Sequence, residues 1–176
     1  SCSVYGAASS DDFLSEESKT NPQTPYSVNK LQVEKGLSVL ADENFSPIAL
    51  RFGTVYGLSP RIRFDVVINM LCGLALTTNK LILNSNGKAW RPHLHIEDVC
   101  QSFLRCLDWN PNKGELIILN VGQNEDNYQV IDIAKTIHSY VKSSELSYLD
   151  GMQDLDGNDL VKDRKIQDGV DTRSYK

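Results

Sequence analysis

The feature that most restricts the fold of this chain is an alternation. Short apolar runs at 47–52, 80–84, 116–121 and 146–149 alternate with stretches in which apolar residues return at helical spacing. In the first such stretch Thr24 is placed to cap a helix and Pro25 suits its first position. Val28, Leu31, Leu37 and Leu40 then recur to about residue 41. A second helix is expected over 64–77, largely apolar and so buried. A third is expected to open at Glu97 and Asp98 and run to about residue 109. The fourth spans 128–141, with Val130, Ile133, Ala134, Ile137 and Val141 on one face. Strands separated by helices can lie parallel, because each helix supplies the crossover that a parallel pair needs. The expected class is therefore α/β with a parallel sheet.

Between these elements, 7–25 is polar, carries Pro22 and Pro25, and reads as an exposed loop. The opening residues read as the end of a strand, Gly53-Thr-Val-Tyr-Gly57 as a turn, 84–87 as another turn and 93–95 as extended chain. With 176 residues, 40% of them apolar, the chain can bury a sizeable core. Its net charge of -5 argues against a nucleic-acid binder, which needs Lys and Arg clustered on one face. No apolar run approaches the ~20 residues of a membrane span, and the start lacks the features of a signal peptide, so a cytoplasmic location is expected. Cys2, Cys72, Cys100 and Cys106 form no C-x-x-C pair and read as reduced thiols, the last three in helical stretches.

The residues that suggest chemistry are Tyr26 and Lys30. Four apart at the start of a helix, they share a face at a separation of about 6 Å. A tyrosine with the reference pKa of about 10 is a poor base at neutral pH, and a neighbouring ammonium favours its ionised form. Such a pair arises often by chance, so its context decides. That context is Ser1-Cys-Ser-Val-Tyr-Gly6, a polar loop, Pro25-Tyr-Ser-Val-Asn-Lys30, Leu50-Arg-Phe-Gly-Thr-Val-Tyr-Gly57, Arg91-Pro-His-Leu-His-Ile-Glu-Asp-Val99 and Asn120-Val-Gly122. In order and spacing these motifs resemble the extended short-chain dehydrogenase/reductase family of sugar-nucleotide enzymes, the NAD-dependent epimerases and dehydratases, over almost the whole chain.

The resemblance implies the carboxyl-terminal half of a Rossmann-like doubly wound parallel sheet plus a small α/β substrate-binding subdomain. It assigns 1–57 and 95–123 to the first, and 58–94 and 124–176 to the second, which would be incomplete at its end. It implies Ser1, Tyr26 and Lys30 as catalytic residues. The Ser1 hydroxyl would bond the substrate oxygen, Tyr26 would be the general acid/base, and Lys30 would bond the nicotinamide ribose. Tyr26, Lys30 and Phe52 would meet the cofactor, NAD or NADP. Thr54 and Arg91 would meet the sugar nucleotide, Arg91 gripping its diphosphate with a forked guanidinium. Arg61, Arg63 and Lys80 could add charge nearby, although a solvated face explains each of them as well.

Departures from the family pattern narrow the reaction. Relatives that dehydrate the sugar carry Asp-Glu directly after the active-site Thr, where this chain has Cys2 and Ser3. Relatives that epimerise at carbons 3 and 5 carry Cys two residues before the turn tyrosine, a place held here by Ser3. A redox step at carbon 4 fits best: an NAD-dependent epimerase, with a 4-ketoreductase using reduced cofactor, or a dehydratase relative, as the alternative. The glycine-rich dinucleotide loop of the family is not found in this sequence. A carboxyl-terminal portion that catalyses nothing alone is therefore a third reading, with a homodimer or pairing through an uncovered sheet edge as its expected assembly. His93 and His95 alternate on one strand but lack a third ligand for a metal. Asp154-Leu-Asp-Gly-Asn-Asp159 has its glycine too early for a calcium loop. Asp171-Thr-Arg-Ser-Tyr175 resembles a family segment near the nucleotide pocket.

Overall fold

The structure is a computed structural model that describes residues 1–6, 13–109 and 114–148. The two motifs read at 154–159 and 171–175 lie outside the described residues, as does Leu149. The chain forms two compact units. The first comprises Ser1–Gly57 and Pro92–Asn127, and the second Leu58–Arg91 and the described residues from Tyr128 onward.

In the first unit, strand β1 (Ile48–Phe52) pairs in parallel with β5 (Ile117–Val121), in a register that sets Arg51 beside Asn120 and Phe52 beside Val121. Helix α1 (Pro25–Leu40) precedes β1, and helix α3 (Ile96–Asp108) precedes β5. A short strand β2 (Thr54–Tyr56) follows β1 and runs parallel to β4 (Trp90–His95), Thr54 opposite His93. In the second unit, α2 (Val67–Thr78) leads into β3 (Lys80–Leu83), and α4 (Val130–Tyr140) leads into β7 (Glu145–Tyr148), with β3 and β7 parallel. The short strand β6 (Asn127–Gln129) lies just before α4. The class is α/β with parallel pairing throughout these three strand pairs.

Each unit has its own apolar cluster. Leu71 and Ala75 of α2, Leu81 and Leu83 of β3, and Ile131, Ile133, Ala134 and Ile137 of α4 form that of the second unit. Burying each leucine or isoleucine of this cluster contributes about 1.5–3 kcal/mol. Amide groups at the start of α4 are satisfied locally, since the Ile131 N–H donates to the Gly87 carbonyl at 2.9 Å and the Val130 N–H to that of Ala89 at 3.3 Å. The first unit buries a smaller apolar group, Cys2, Val4 and Tyr5, on which Leu14 and Leu31 pack.

Several sequence expectations are corrected. The opening residues form a 3-10 turn, Cys2–Tyr5, instead of a strand end, because the Ser1 hydroxyl accepts the Ser3 N–H at 3.4 Å and the Val4 N–H closes back on the Ser1 carbonyl at 3.2 Å. The segment read as a turn at 53–57 contains β2, whose Thr54, Val55 and Tyr56 suit extended chain. Between β1 and β2, Gly53 lets the backbone pass close to Pro92, whose carbonyl oxygen would stand 2.8 Å from a Cβ there. The run at 47–52 is less buried than expected: only Pro47 and Arg51 are buried, because the β1–β5 sheet of the described residues is two strands wide. Helix α2 hides Asn69, Leu71 and Ala75 but leaves Leu76 72% exposed.

Helix α1 starts as its capping residues predict. Thr24 and Ser27 exchange side-chain and backbone bonds, Thr24 accepting the Ser27 N–H at 3.2 Å and the Ser27 hydroxyl accepting the Thr24 N–H at 3.0 Å. Its inward face differs from the expected stripe. Val28 and Leu40 are exposed, whereas Ser27 and Glu34 are buried.

Gly6 adopts a left-handed φ of 67°, and a Cβ on it would collide with the Asn21 carbonyl oxygen. Gly6→Ala is therefore expected to lower stability by more than about 1 kcal/mol, read as a fall in the urea midpoint. An unchanged midpoint would contradict this turn geometry.

Candidate active site

The start of α1 brings Tyr26 and Lys30 together, with the Lys30 Nζ 5.3 Å from the centroid of the Tyr26 ring. This is cation–π distance. Tyr26 is 56% exposed and Lys30 half-buried. Among the described residues neither side chain takes a hydrogen-bond or carboxylate partner, so phenol and ammonium are both available to a ligand. Ser1 caps the 3-10 turn, its Oγ 3.1 Å from that of Ser3. That turn is the one on which Leu31 of α1 packs. Phe52, at the end of β1, meets Phe103 of α3 edge-on at 5.5 Å between ring centroids. Thr54 is half-buried in β2. All five residues belong to the first unit.

Arg91 belongs to the second unit. It is buried, and its Nη1 donates to the Trp90 carbonyl at 2.8 Å. Of the other cations considered, Arg63 holds Asp65 through two bonds of 2.9 and 2.6 Å in a solvent-exposed pair. That pairing keeps the Asp65 carboxyl below its ordinary range. His95 caps α3 by accepting the Glu97 N–H at 3.4 Å, while His93 is buried and edge-on to Tyr56. Among the described residues no three His, Cys, Asp or Glu side chains are grouped to hold a metal. No described helix is long and apolar enough to cross a membrane.

Sequence reasoning passed over a buried polar network that joins α1, β1, β5 and the opening turn. Arg51, the next-to-last residue of β1, is 3% exposed and grips Glu34 of α1 with a fork, Nε to Oε1 at 3.0 Å and Nη2 to Oε2 at 2.7 Å. Its Nη1 donates to the Tyr5 hydroxyl at 2.8 Å, with the guanidinium 5.0 Å from the Tyr5 ring centroid. The Tyr5 hydroxyl in turn donates to Asn120 Oδ1 of β5 at 2.7 Å. Glu16 closes the network by accepting the Asn120 N–H at 2.6 Å. Burial opposes the charge on Arg51, but the bonds from Glu34 and Tyr5 outweigh it and push the guanidinium's pKa above its ordinary value. Burial also raises the Tyr5 phenol, against the pull of Arg51, so Tyr5 stays a neutral donor. A visible signal was the single charged residue inside the otherwise apolar run Ile48–Phe52, since a lone charge in a buried strand needs a partner.

Cys2 is buried in the same place, its Sγ 3.2 Å from the Arg51 carbonyl oxygen. Burial pushes its thiol up to about 11. Ser3 beside it is 5% exposed. A groove of about 280 Å³ is lined by Leu50, Arg105, Trp109, Leu119 and Asn120, and none of Ser1, Tyr26, Lys30, Phe52, Thr54 and Arg91 lines it.

These arrangements can be compared with known proteins. The model of the NAD dependent epimerase/dehydratase family matches residues 1–122. The chain belongs to that family. It is 29% identical over 136 residues to the uncharacterized UDP-glucose epimerase YtcB of Bacillus subtilis (strain 168), a match covering 77% of this chain and 42% of the relative. Among solved structures it is similar to a UDP-glucuronic acid 4-epimerase of Bacillus cereus, a tyrosine-to-phenylalanine mutant in complex with UDP-4-deoxy-4-fluoro-glucuronic acid and NAD. That likeness has a TM-score of 0.72 at 26% identity, over 84% of this chain and 46% of the other. It is likewise similar to MoeE5 in complex with UDP-glucose and NAD, with a TM-score of 0.70 at 29% identity, over 85% of this chain and 49% of that one. The chain thus spans about half the length of these relatives or less. The family is one of NAD(P)-using enzymes that act on sugar nucleotides, and its fold is the α/β fold with parallel strands described above.

All four cysteines are free, Cys2 buried and Cys100 exposed. Exposure and the raised Cys2 pKa together predict that iodoacetamide at pH 8 modifies Cys100 well before Cys2. The order is read by peptide mass spectrometry on the folded protein. The folded thiol titrates above the unfolded one, so its contribution to stability is full below pH 9 and is lost as pH rises toward 11. Early labelling of Cys2 would contradict its burial.

Proposed function

We propose that the protein carrying this chain is an NAD-dependent sugar-nucleotide epimerase that works by removing and returning a hydride at carbon 4 of the sugar. The observation that carries the reading is the Tyr26–Lys30 pair: an exposed phenol with an ammonium over its ring at the start of α1, in a chain of the epimerase/dehydratase family. In the forward half-reaction the Tyr26 oxygen accepts the proton of the sugar 4-hydroxyl while carbon 4 loses hydride and becomes a ketone. NAD, when bound, supplies the acceptor and later donor of that hydride. In the return half-reaction carbon 4 regains hydride on its opposite face, and Tyr26 gives the proton back to the oxygen. Ser1 would bond that oxygen, Lys30 and Phe52 would hold the cofactor, and Thr54 and Arg91 would bind the sugar nucleotide.

The residues present fit the cofactor, since the Lys30 ammonium has no competing carboxylate among the described residues. Positions 2 and 3 favour epimerisation over dehydration. Elimination of water needs an additional acid and base. Cys2 is buried, bonded to a carbonyl and titrates at about 11, and Ser3 is buried beside it, so neither supplies one. The name of YtcB, a UDP-glucose epimerase, agrees with this reading.

In the whole protein, Tyr26→Phe is expected to lower kcat for conversion of UDP-glucose to its 4-epimer by about 10²- to 10⁴-fold. Calorimetry should still detect binding of UDP-glucose by that variant. Turnover close to that of the unaltered protein would remove Tyr26 from the reaction.

A further inference from the structure

We infer that Glu34 and Arg51 are positioning residues for the Tyr26–Lys30 pair, an inference that rests on the reaction proposed above. At about 100° per residue, Tyr26, Lys30 and Glu34 fall at about 0°, 40° and 80° around α1, and Ser27 and Leu31 at about 100° and 140°. The inward spine of the helix is therefore Ser27, Leu31 and Glu34, of which Ser27 and Glu34 are buried, and the reactive pair lies along its shoulder. Ser27 is spent on the capping box, and Leu31 rests on the turn of Cys2, Val4 and Tyr5. Only Glu34 of this spine is joined to the sheet by two directed bonds, both to Arg51.

A forked guanidinium against a carboxylate fixes rotation as well as distance, which an apolar contact does not. The pair thus sets the rotation of α1, and with it the direction in which Tyr26 and Lys30 point, about 12 Å farther along the axis for Tyr26. Arg51 reaches a second candidate residue in the same way. Its Nη1 holds Tyr5, the last residue of the turn that Ser1 caps. One guanidinium therefore registers both segments that carry the proposed catalytic side chains, and Asn120 fixes the far side of Tyr5.

The test compares Glu34→Gln and Arg51→Lys in the whole protein with NAD and UDP-glucose. Glu34→Gln keeps the size of the side chain, and Arg51→Lys keeps the charge but loses the fork. The expected result is a fall in kcat of about a hundredfold with KM for UDP-glucose within about twofold, in variants that circular dichroism shows to be folded. Hydrogen exchange at 25–31, measured without substrate, is expected to quicken in both variants. The double variant should be no worse than the poorer single one, because the two residues act as a unit. An unchanged kcat in either folded variant would overturn the inference, as would exchange at 25–31 identical to that of the unaltered protein. Should the unaltered protein convert no sugar nucleotide, the proposed reaction falls, and the exchange measurement alone still decides whether the pair orders the helix.

Discussion

The buried pair of Arg51 and Glu34 is the interaction on which the first unit depends. Among the described residues the apolar cluster there is small, three buried residues with two neighbours packed on them. The strands β1 and β5 are only partly covered. Into this modest core the chain places a cation that bonds a helix, a turn and, through Tyr5, the neighbouring strand. Removing one member of such a pair leaves an uncompensated buried charge, at a cost of about 3–5 kcal/mol. Replacing both with apolar residues could leave the stability intact. What the charged pair adds is direction: two planar groups joined by two bonds accept one relative orientation.

That directional quality suits the chemistry proposed for the site. A phenol that exchanges a proton with a sugar hydroxyl must reach it at hydrogen-bond distance, and its effect declines steeply when it is misplaced. The phenol and its lysine are exposed or half-exposed at the start of α1, where packing alone would hold them loosely. Their order comes from below, through the capping box of Thr24 and Ser27 and through Glu34. The buried Cys2 and Ser3 add no acid or base of their own, which accords with the epimerisation proposed above.

Local signals in the sequence were read well. Thr24 and Pro25 marked the start of α1, Glu97 and Asp98 the start of α3, and the apolar periodicity of α4 gave its buried face, because each of these depends on residues within one or two turns. The parallel α/β class followed from alternation alone. The 3-10 turn at Cys2–Tyr5 was not legible, since it depends on a serine hydroxyl folding back on its own backbone. The inward face of α1 was misjudged because a buried glutamate scores as solvent-facing in any apolar pattern, and only the distant Arg51 makes its burial affordable. The same holds for the anchoring network as a whole. Tyr5, Glu34, Arg51 and Asn120 are brought together from four segments, and periodicity within a segment carries no record of that meeting.

The central claim, reversible hydride removal at carbon 4, is tested most directly by the fate of an isotope. UDP-glucose deuterated at carbon 4 would be incubated with the whole protein and NAD, and the products analysed by NMR and mass spectrometry. The account predicts the 4-epimer with deuterium retained at carbon 4 and no net accumulation of reduced cofactor. Loss of the deuterium to solvent, or a dehydrated sugar in place of the epimer, would contradict it.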